Sequence, residues 1–206
     1  MKIAFIGGGL LASSVAVLAK AKGHDSVFGV RDPLKTSFPD FPRTGFIEAI
    51  TGADIVVIAI PYQATAEVLP PLADALAGKV VIDTTNAVKA DWSPLPTGEE
   101  SSGAEHIQRL LPRSYVAKAF NTIFAEVIQP HRLNRAGHKI SLFVSSNHPK
   151  ASQSVMEFGA QLGFDAINAG PLKSARYLEA VAHLNLELAF GQGDGMNTAI
   201  IYHRSV

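Results

Sequence analysis

Short runs of β-branched and other apolar residues recur along the chain, and between most of them lie stretches whose apolar positions return every three to four residues. The runs are Ile3–Ile6, Ser26–Val30, Asp54–Ile60, Lys79–Asp83, Ser114–Ala119, Lys139–Ser145 and a weaker Asp165–Asn168. The helical stretches are Leu10–Lys22, Ala64–Ala77, Gly103–Leu111, Pro149–Leu162 and Lys173–Phe190. Strands alternating with helices predict an α/β domain, a doubly wound and mostly parallel sheet covered on both faces. Ile55–Ile60 is apolar at every position, as a strand buried on both faces requires. Pro149 suits a first helical position, and Gly23, Gly78 and Gly163 suit helix ends. The last helical stretch reads as a short C-terminal helical extension.

Two regions break the pattern. Pro33, Pro39 and Pro42 leave no room for a full helix after the second strand, because each lacks a backbone N–H. Ala90–Ser102, with Pro94, Pro96 and Gly98, reads as a long loop, functional or simply a surface excursion.

Composition narrows the class. The 206 residues carry 18 basic and 18 acidic side chains, and charged residues are only 17% of the chain, too few for a disordered one. The basic residues are scattered, so no nucleic-acid partner is expected. With no cysteine there is no thiolate nucleophile, thiolate metal site or disulfide. Lys2 and the apolar stretch after it superficially resemble a signal peptide, but Gly7-Gly8-Gly9 interrupts it. No run reaches the ~20 apolar residues of a membrane span. The expectation is a cytoplasmic protein with no membrane partner.

The chemistry starts at the first turn. Gly7-Gly8-Gly9-Leu10-Leu11-Ala12 follows a strand and opens a helix, which is the G-x-G-x-x-A pattern of a Rossmann-type nucleotide site in its required context. Gly7 permits the turn, Gly9 lets a pyrophosphate approach the helix N-terminus, and Ala12 keeps helix and sheet close. Where an acidic residue would select NAD, the second strand ends in Val30 and Arg31 follows. A guanidinium fork suits the 2′-phosphate of NADP, and Lys35 is near enough in sequence to add a second charge. Asp32 can pair with Arg31 or bind a ribose itself.

Three later strand ends also carry ligand-type groups: Ile60-Pro61-Tyr62, Asp83-Thr84-Thr85-Asn86 and Lys118-Ala119-Phe120-Asn121-Thr122. In such sheets ligands lie beyond the carboxyl ends of the strands. There is no G-x-S-x-G elbow and no metal-binding histidine spacing, and no side chain stands out as a general acid or base. His131, His138, His148 and His183 read as structural or solvated.

These segments together resemble the reductases that pass hydride between NADP and the deazaflavin coenzyme F420, and the cytoplasmic oxidoreductase domain of the STEAP metalloreductases. The resemblance covers nearly the whole chain, and is strongest at Lys118–Ile123 and Ala169-Gly170-Pro171-Leu172. It implies that Gly8, Gly9, Leu10 and Leu11 cradle the pyrophosphate and that Arg31 and Lys35 take the 2′-phosphate. It also implies that Ile60 and Pro61 line the adenosine side and that Asn86 and Ala125 lie by the nicotinamide. Asn121 and Thr122 would face the second redox ring, with Pro171 and Leu172 closing the pocket. On this view residues 1–206 form one compact unit, with an NADP-binding Rossmann core in 1–125 and a segment 126–206 completing the substrate pocket. Val30, counted among the cofactor-binding residues, stands where the family often has serine, which removes one hydroxyl contact.

The expected activity is hydride transfer between NADP(H) and coenzyme F420 or a flavin such as FMN or FAD, with Asn121 and Thr122 orienting the rings. An NADP-dependent reductase of an imine, ketone or quinone, or a non-enzymatic NADP sensor, stays open. Leu178, Val181, Leu184, Leu186, Leu188 and Phe190 make the last helix apolar on much of its surface, which fits either a homodimer face or a core helix.

Overall fold

The computed structural model describes residues 1–34, 41–89, 91–97 and 101–204. Its strands are β1 (Lys2–Ile6), β2 (Asp25–Gly29), β3 (Arg43–Thr44), β4 (Ile55–Ile58), β5 (Val80–Asp83), β6 (Tyr115–Lys118), β7 (Asn134–Arg135), β8 (His138–Lys139), β9 (Ser141–Ser146) and β10 (Asp165–Asn168). The α-helices are α1 (Leu10–Ala21), α2 (Phe46–Ile50), α3 (Thr65–Val68), α4 (Gly103–Leu110), α5 (Pro149–Leu162) and α6 (Ala175–Leu186). Eight strands form one sheet in the order β10-β9-β6-β5-β4-β1-β2-β3, and β7 and β8 pair separately. Every pairing in the large sheet is parallel except that of β6 with β9. This is the expected Rossmann-type, mostly parallel sheet.

The alternation of side chains along each strand divides the core. Ile3, Phe5, Phe28, Val57 and Ile82 pack on one face with Val15 and Ala16 of α1 and Val155 and Phe158 of α5. Ala4, Ile6, Val56, Ile58 and Val81 pack on the other with Ala49, Leu69 and Ile107. α5 begins at Pro149 and ends on Gly163, whose φ of 108° is the left-handed region that glycine tolerates.

Two expectations change and a third gains detail. The predicted helix Ala64–Ala77 breaks into a short 3₁₀ turn, the single α-turn Thr65–Val68, and a second 3₁₀ turn at Pro70–Leu72. Pro70 and Pro71 each lack the N–H needed to continue the ladder. The irregular stretch after β2 holds the two-residue edge strand β3 and the five-residue α2. The last helix is regular from Ala175 to Leu186 and then widens into a π-type turn, Glu187–Gly191. It divides its surface, burying Leu178, Glu179, Ala182 and Asn185 while Tyr177, Leu184 and Leu188 are exposed. Among the described residues, no helix is long and apolar enough to cross a membrane.

Candidate functional site

The glycine turn is shaped by contact with β4. Gly7 has φ 105°, its N–H donates to Gly29 O at 2.9 Å, and a Cβ there would fall on the Ala59 carbonyl and within 2.8 Å of Ile60 Cγ2. Gly9 differs. It is the N-cap of α1 with extended backbone and no side-chain cap, and a Cβ there would meet nothing within 4 Å. The space in front of this helix N-terminus is therefore open, with orphan N–H groups and the positive end of the dipole facing it, which fits a pyrophosphate. Leu10 is exposed, Leu11 is half-buried, and Ala12 is fully buried between helix and sheet.

Beyond the carboxyl ends of β1, β4, β5 and β6 lie two adjoining cavities. The first, about 500 Å³, is lined by Gly9, Leu11, Ala12, Ile60, Pro61, Tyr62, Thr84, Thr85 and Asn86, among others. The second, about 300 Å³, is lined by Asn121, Thr122, Ala125, Glu126, Ala182 and Asn185 with the apolar Ile123, Phe124, Leu186, Phe190 and Met196. They share Leu11, Thr84, Asn86, Val88 and Trp92. Among the described residues, no histidine lines either cavity.

The boundary between them is built from amides. Asn86 Nδ2 donates to Asn121 O at 2.8 Å, and Asn121 Nδ2 donates to Asn86 Oδ1 at 3.0 Å and to Leu178 O at 3.1 Å. Asn185 Nδ2 donates to Thr122 O at 3.2 Å. Just before them Phe120 sits at φ 66°, a conformation costing a bulky residue on the order of 1–3 kcal/mol. Its fully buried ring, edge-on to Phe164 and Phe158, keeps the turn in place.

Beneath this boundary the strand-end residues Asp83 and Lys118 join Glu179 in a charged cluster. Register places Asp83 beside Lys118 at the ends of β5 and β6. Lys118 Nζ lies 2.9 Å from Asp83 Oδ2 and 2.9 Å from Glu179 Oε1, with the Lys118 and Asp83 side chains wholly buried. Glu179 also accepts from the N–H groups of Gly103 and Ala104 at the start of α4, at 3.0 and 3.2 Å. Burial alone would push the Lys118 ammonium down, but Asp83 and Glu179 outweigh it and hold it above the usual lysine range. The sequence signal was a single charge closing each of two otherwise apolar strands.

Two aromatic side chains take partners here that are distant in the sequence. Tyr62, lining the first cavity, has its hydroxyl 2.8 Å from His106 Nδ1. Desolvation, then the nearby Glu179 and Asp83 charges, push that phenol up, so it keeps its proton. Trp92, in the long loop, is half exposed at φ 65° and stacks on Phe190 with ring centroids 6.3 Å apart. Hydrogen bonds from Lys89 N to Ser93 O and from Leu95 N to Ala87 O fold this part of the loop into a small hairpin. The edge-on pair Phe124–Phe190 continues the aromatic wall.

The structure brings Gly9, Leu11, Ala12, Ile60, Pro61, Asn86, Asn121, Thr122 and Ala125 to the two cavities. Gly7 and Gly8 form the turn beside them, and Leu10 faces outward. Arg31 is exposed after β2, and Asp32 Oδ1 accepts from Leu34 N at 3.1 Å. Lys35 lies outside the described residues. Three placements differ from expectation. The Val30 side chain is buried in the core, leaving only its backbone near the strand end. Pro171 is exposed and lines neither cavity. Leu172 is buried in the core with Ala4 and Ile6, its N–H held by Asn147 Oδ1 at 3.0 Å. This segment turns the chain from β10 into α6, and the wall of the second cavity is supplied by α6 and the wide turn after it.

Comparison with known proteins fits this architecture. The family described as NADP oxidoreductase, coenzyme F420-dependent, matches residues 2–87. The metalloreductase STEAP3 of Rattus norvegicus is 30% identical over 185 residues, covering 87% of this chain and 36% of that protein. The chain thus spans about a third of the length of the STEAP relatives it matches. A crystal structure from Arthrobacter sp. FB24, provisionally described as an F420-dependent NADP-reductase, superposes with a TM-score of 0.87 at 28% identity over 99% of this chain and 100% of that one. The F420-dependent NADP reductase of Methanothermobacter thermautotrophicus is 30% identical over 213 residues, covering 91% of this chain and 89% of that protein. The chain belongs to the family of F420-dependent NADP reductases.

Proposed function

We propose that this protein transfers a hydride between NADP(H) and coenzyme F420 or a flavin. The observation that carries the reading is the pair of adjoining cavities at the carboxyl edge of the sheet, joined through Leu11, Thr84, Asn86, Val88 and Trp92. One opens at the glycine turn, as a dinucleotide requires, and the other is walled by aromatic and amide groups suited to a planar ring. In this reading Gly8, Gly9 and Leu11 hold the pyrophosphate, Arg31 takes the 2′-phosphate, and Asn86, Asn121 and Thr122 set the ring orientation.

When both rings are bound, the reduced one would supply a hydride directly to the oxidised one, chemistry that calls for reacting atoms held about 3–3.5 Å apart in a dry site. The protein's part is to orient and to exclude water. Trp92, Phe124 and Phe190 supply the apolar wall, and the interlocked Asn86 and Asn121 amides present fixed polar groups at the junction. No lining side chain is required to move a proton at the donor carbon.

The test is an anaerobic mixture of protein, NADPH and coenzyme F420, followed by loss of the oxidised deazaflavin absorbance. Parallel reactions contain FMN, FAD or riboflavin, or NADH in place of NADPH. Rapid bleaching by NADPH is the expected result. NADPH binding with no bleaching of any of these rings refutes the acceptor assignment and moves the reading to another small molecule or a sensor.

A further inference from the structure

We propose that Lys118 is a positioning residue for hydride transfer: through Thr85 and Glu179, its buried ammonium fixes the Asn86–Asn121 pair at the junction of the two cavities. The inference rests on the function proposed above. An ammonium has three N–H donors, and here all three are committed. They go to Asp83 Oδ2 at 2.9 Å, Glu179 Oε1 at 2.9 Å and Thr85 O at 2.5 Å. Asp83 completes the clamp, its Oδ1 accepting from Thr85 N at 2.8 Å. The peptide groups on both sides of Thr85 are therefore tied to the cluster, and the next residue is Asn86.

The second tie runs through α6. Asn121 follows Lys118 by three residues and donates to Leu178 O, while the next residue, Glu179, holds Lys118 itself. Lys118 thus joins the β5 end, the β6 end and α6, the three elements that carry Asn86, Asn121 and Asn185. Stability alone does not account for it, because buried ion clusters are often no more stabilising than apolar packing of the same volume. An apolar side chain here would fill the space without directing any of the three peptide segments. The two carboxylates exceed the one ammonium by a charge, and the N–H groups at the start of α4 face that excess.

The test compares Lys118→Met with Glu105→Gln. Glu105 forms a two-pronged pair with Arg176, at 2.9 Å each, that links α4 to α6 without lining either cavity. In ligand-free protein, amide hydrogen exchange at Thr85 and Asn86 and the side-chain amide resonances of Asn86 and Asn121 are recorded. For Lys118→Met, exchange should accelerate at least tenfold and the resonances should shift or broaden. NADPH affinity, anchored at the glycine turn, should stay within threefold. The rate of hydride transfer in a single turnover should fall at least tenfold, with a changed primary deuterium isotope effect. Glu105→Gln should lower the unfolding temperature and leave these readouts as in the parent. If Lys118→Met does not fold, Glu179→Gln, which keeps the side-chain shape, is read in the same way. Unchanged exchange and amide resonances in the folded variant, or equal loosening by Glu105→Gln, overturns the proposal. Failure of the parent protein to reduce any acceptor counts against the function alone, since the ligand-free readouts still decide the positioning role.

Discussion

Replacing Gly9 and Gly7 separately by alanine divides cofactor binding from folding, because the two glycines are there for different reasons. At Gly9 the backbone is extended, φ −75° and ψ 177°, and a Cβ meets nothing within 4 Å. Alanine adopts that conformation freely, and the loss of unfolded-state freedom should stabilise by about 0.4–1 kcal/mol. Against this, alanine is a poorer N-cap than glycine, a difference of roughly 1 kcal/mol. The two effects offset, and Gly9→Ala should fold with a stability within about 1 kcal/mol of the parent. The methyl group nevertheless stands in the open space before α1. Loss of one charge-assisted hydrogen bond, about 1.5–3 kcal/mol, would weaken NADPH binding roughly tenfold to a hundredfold. Gly7→Ala should behave oppositely. At φ 105° the backbone strain is on the order of 1–3 kcal/mol, and overlap with the Ala59 carbonyl adds to it, so stability itself should fall. Urea unfolding and titration of NADPH fluorescence measure the two quantities on the same samples. A Gly9→Ala protein that binds NADPH like the parent would refute a pyrophosphate at this turn. One destabilised as much as Gly7→Ala would refute the steric argument.

Arg31→Glu should weaken NADPH binding by a factor of ten or more while changing NADH binding far less; equal losses in parallel titrations would remove Arg31 from the 2′-phosphate. Trp92, the one tryptophan of the chain, lines both cavities, so its emission should be quenched as NADPH is added, with a midpoint equal to the dissociation constant. Unchanged emission at saturation would place the cofactor elsewhere. Arg176, followed by burial acting in the opposite direction and then by the Ser102 hydroxyl, holds the Glu105 carboxyl below its usual range. A depressed carboxyl contributes stability above its unfolded-state pKa and loses it as pH falls through the folded one. The parent should therefore lose stability on acidification below about pH 4.5 more steeply than Glu105→Gln, measured as urea midpoints across pH. Identical slopes would show that this pair has no part in acid unfolding.

Much of this molecule could be read along the chain, because periodicity reports which face of each element seeks the core. The apolar run at β4, the turn Gly7–Gly9 opening α1, and the helix from Pro149 to Gly163 all carry local signals that survive folding. Arg31 after β2, and asparagine at the ends of two strands, were equally visible as chemistry awaiting a ligand. Partners were not visible in this way. Asp83 and Lys118 become a pair only because β5 and β6 align in parallel with those residues side by side, and Glu179 joins them from a helix far along the sequence. Pro171 and Leu172 carry a family-like pattern, yet packing spends Leu172 on the core and hands the cavity wall to α6. Trp92 sits in a loop without periodicity, and only the small hairpin around it and the ring of Phe190 bring it to the site. Seven strands of the large sheet, the helices α1, α4 and α5 and the glycine turn could be read from local sequence, since each depends on residues close together in the chain. The tertiary structure alone decided the charged cluster, the amide junction and the aromatic wall, since each depends on strand register and helix packing that bring distant residues within hydrogen-bonding or stacking range.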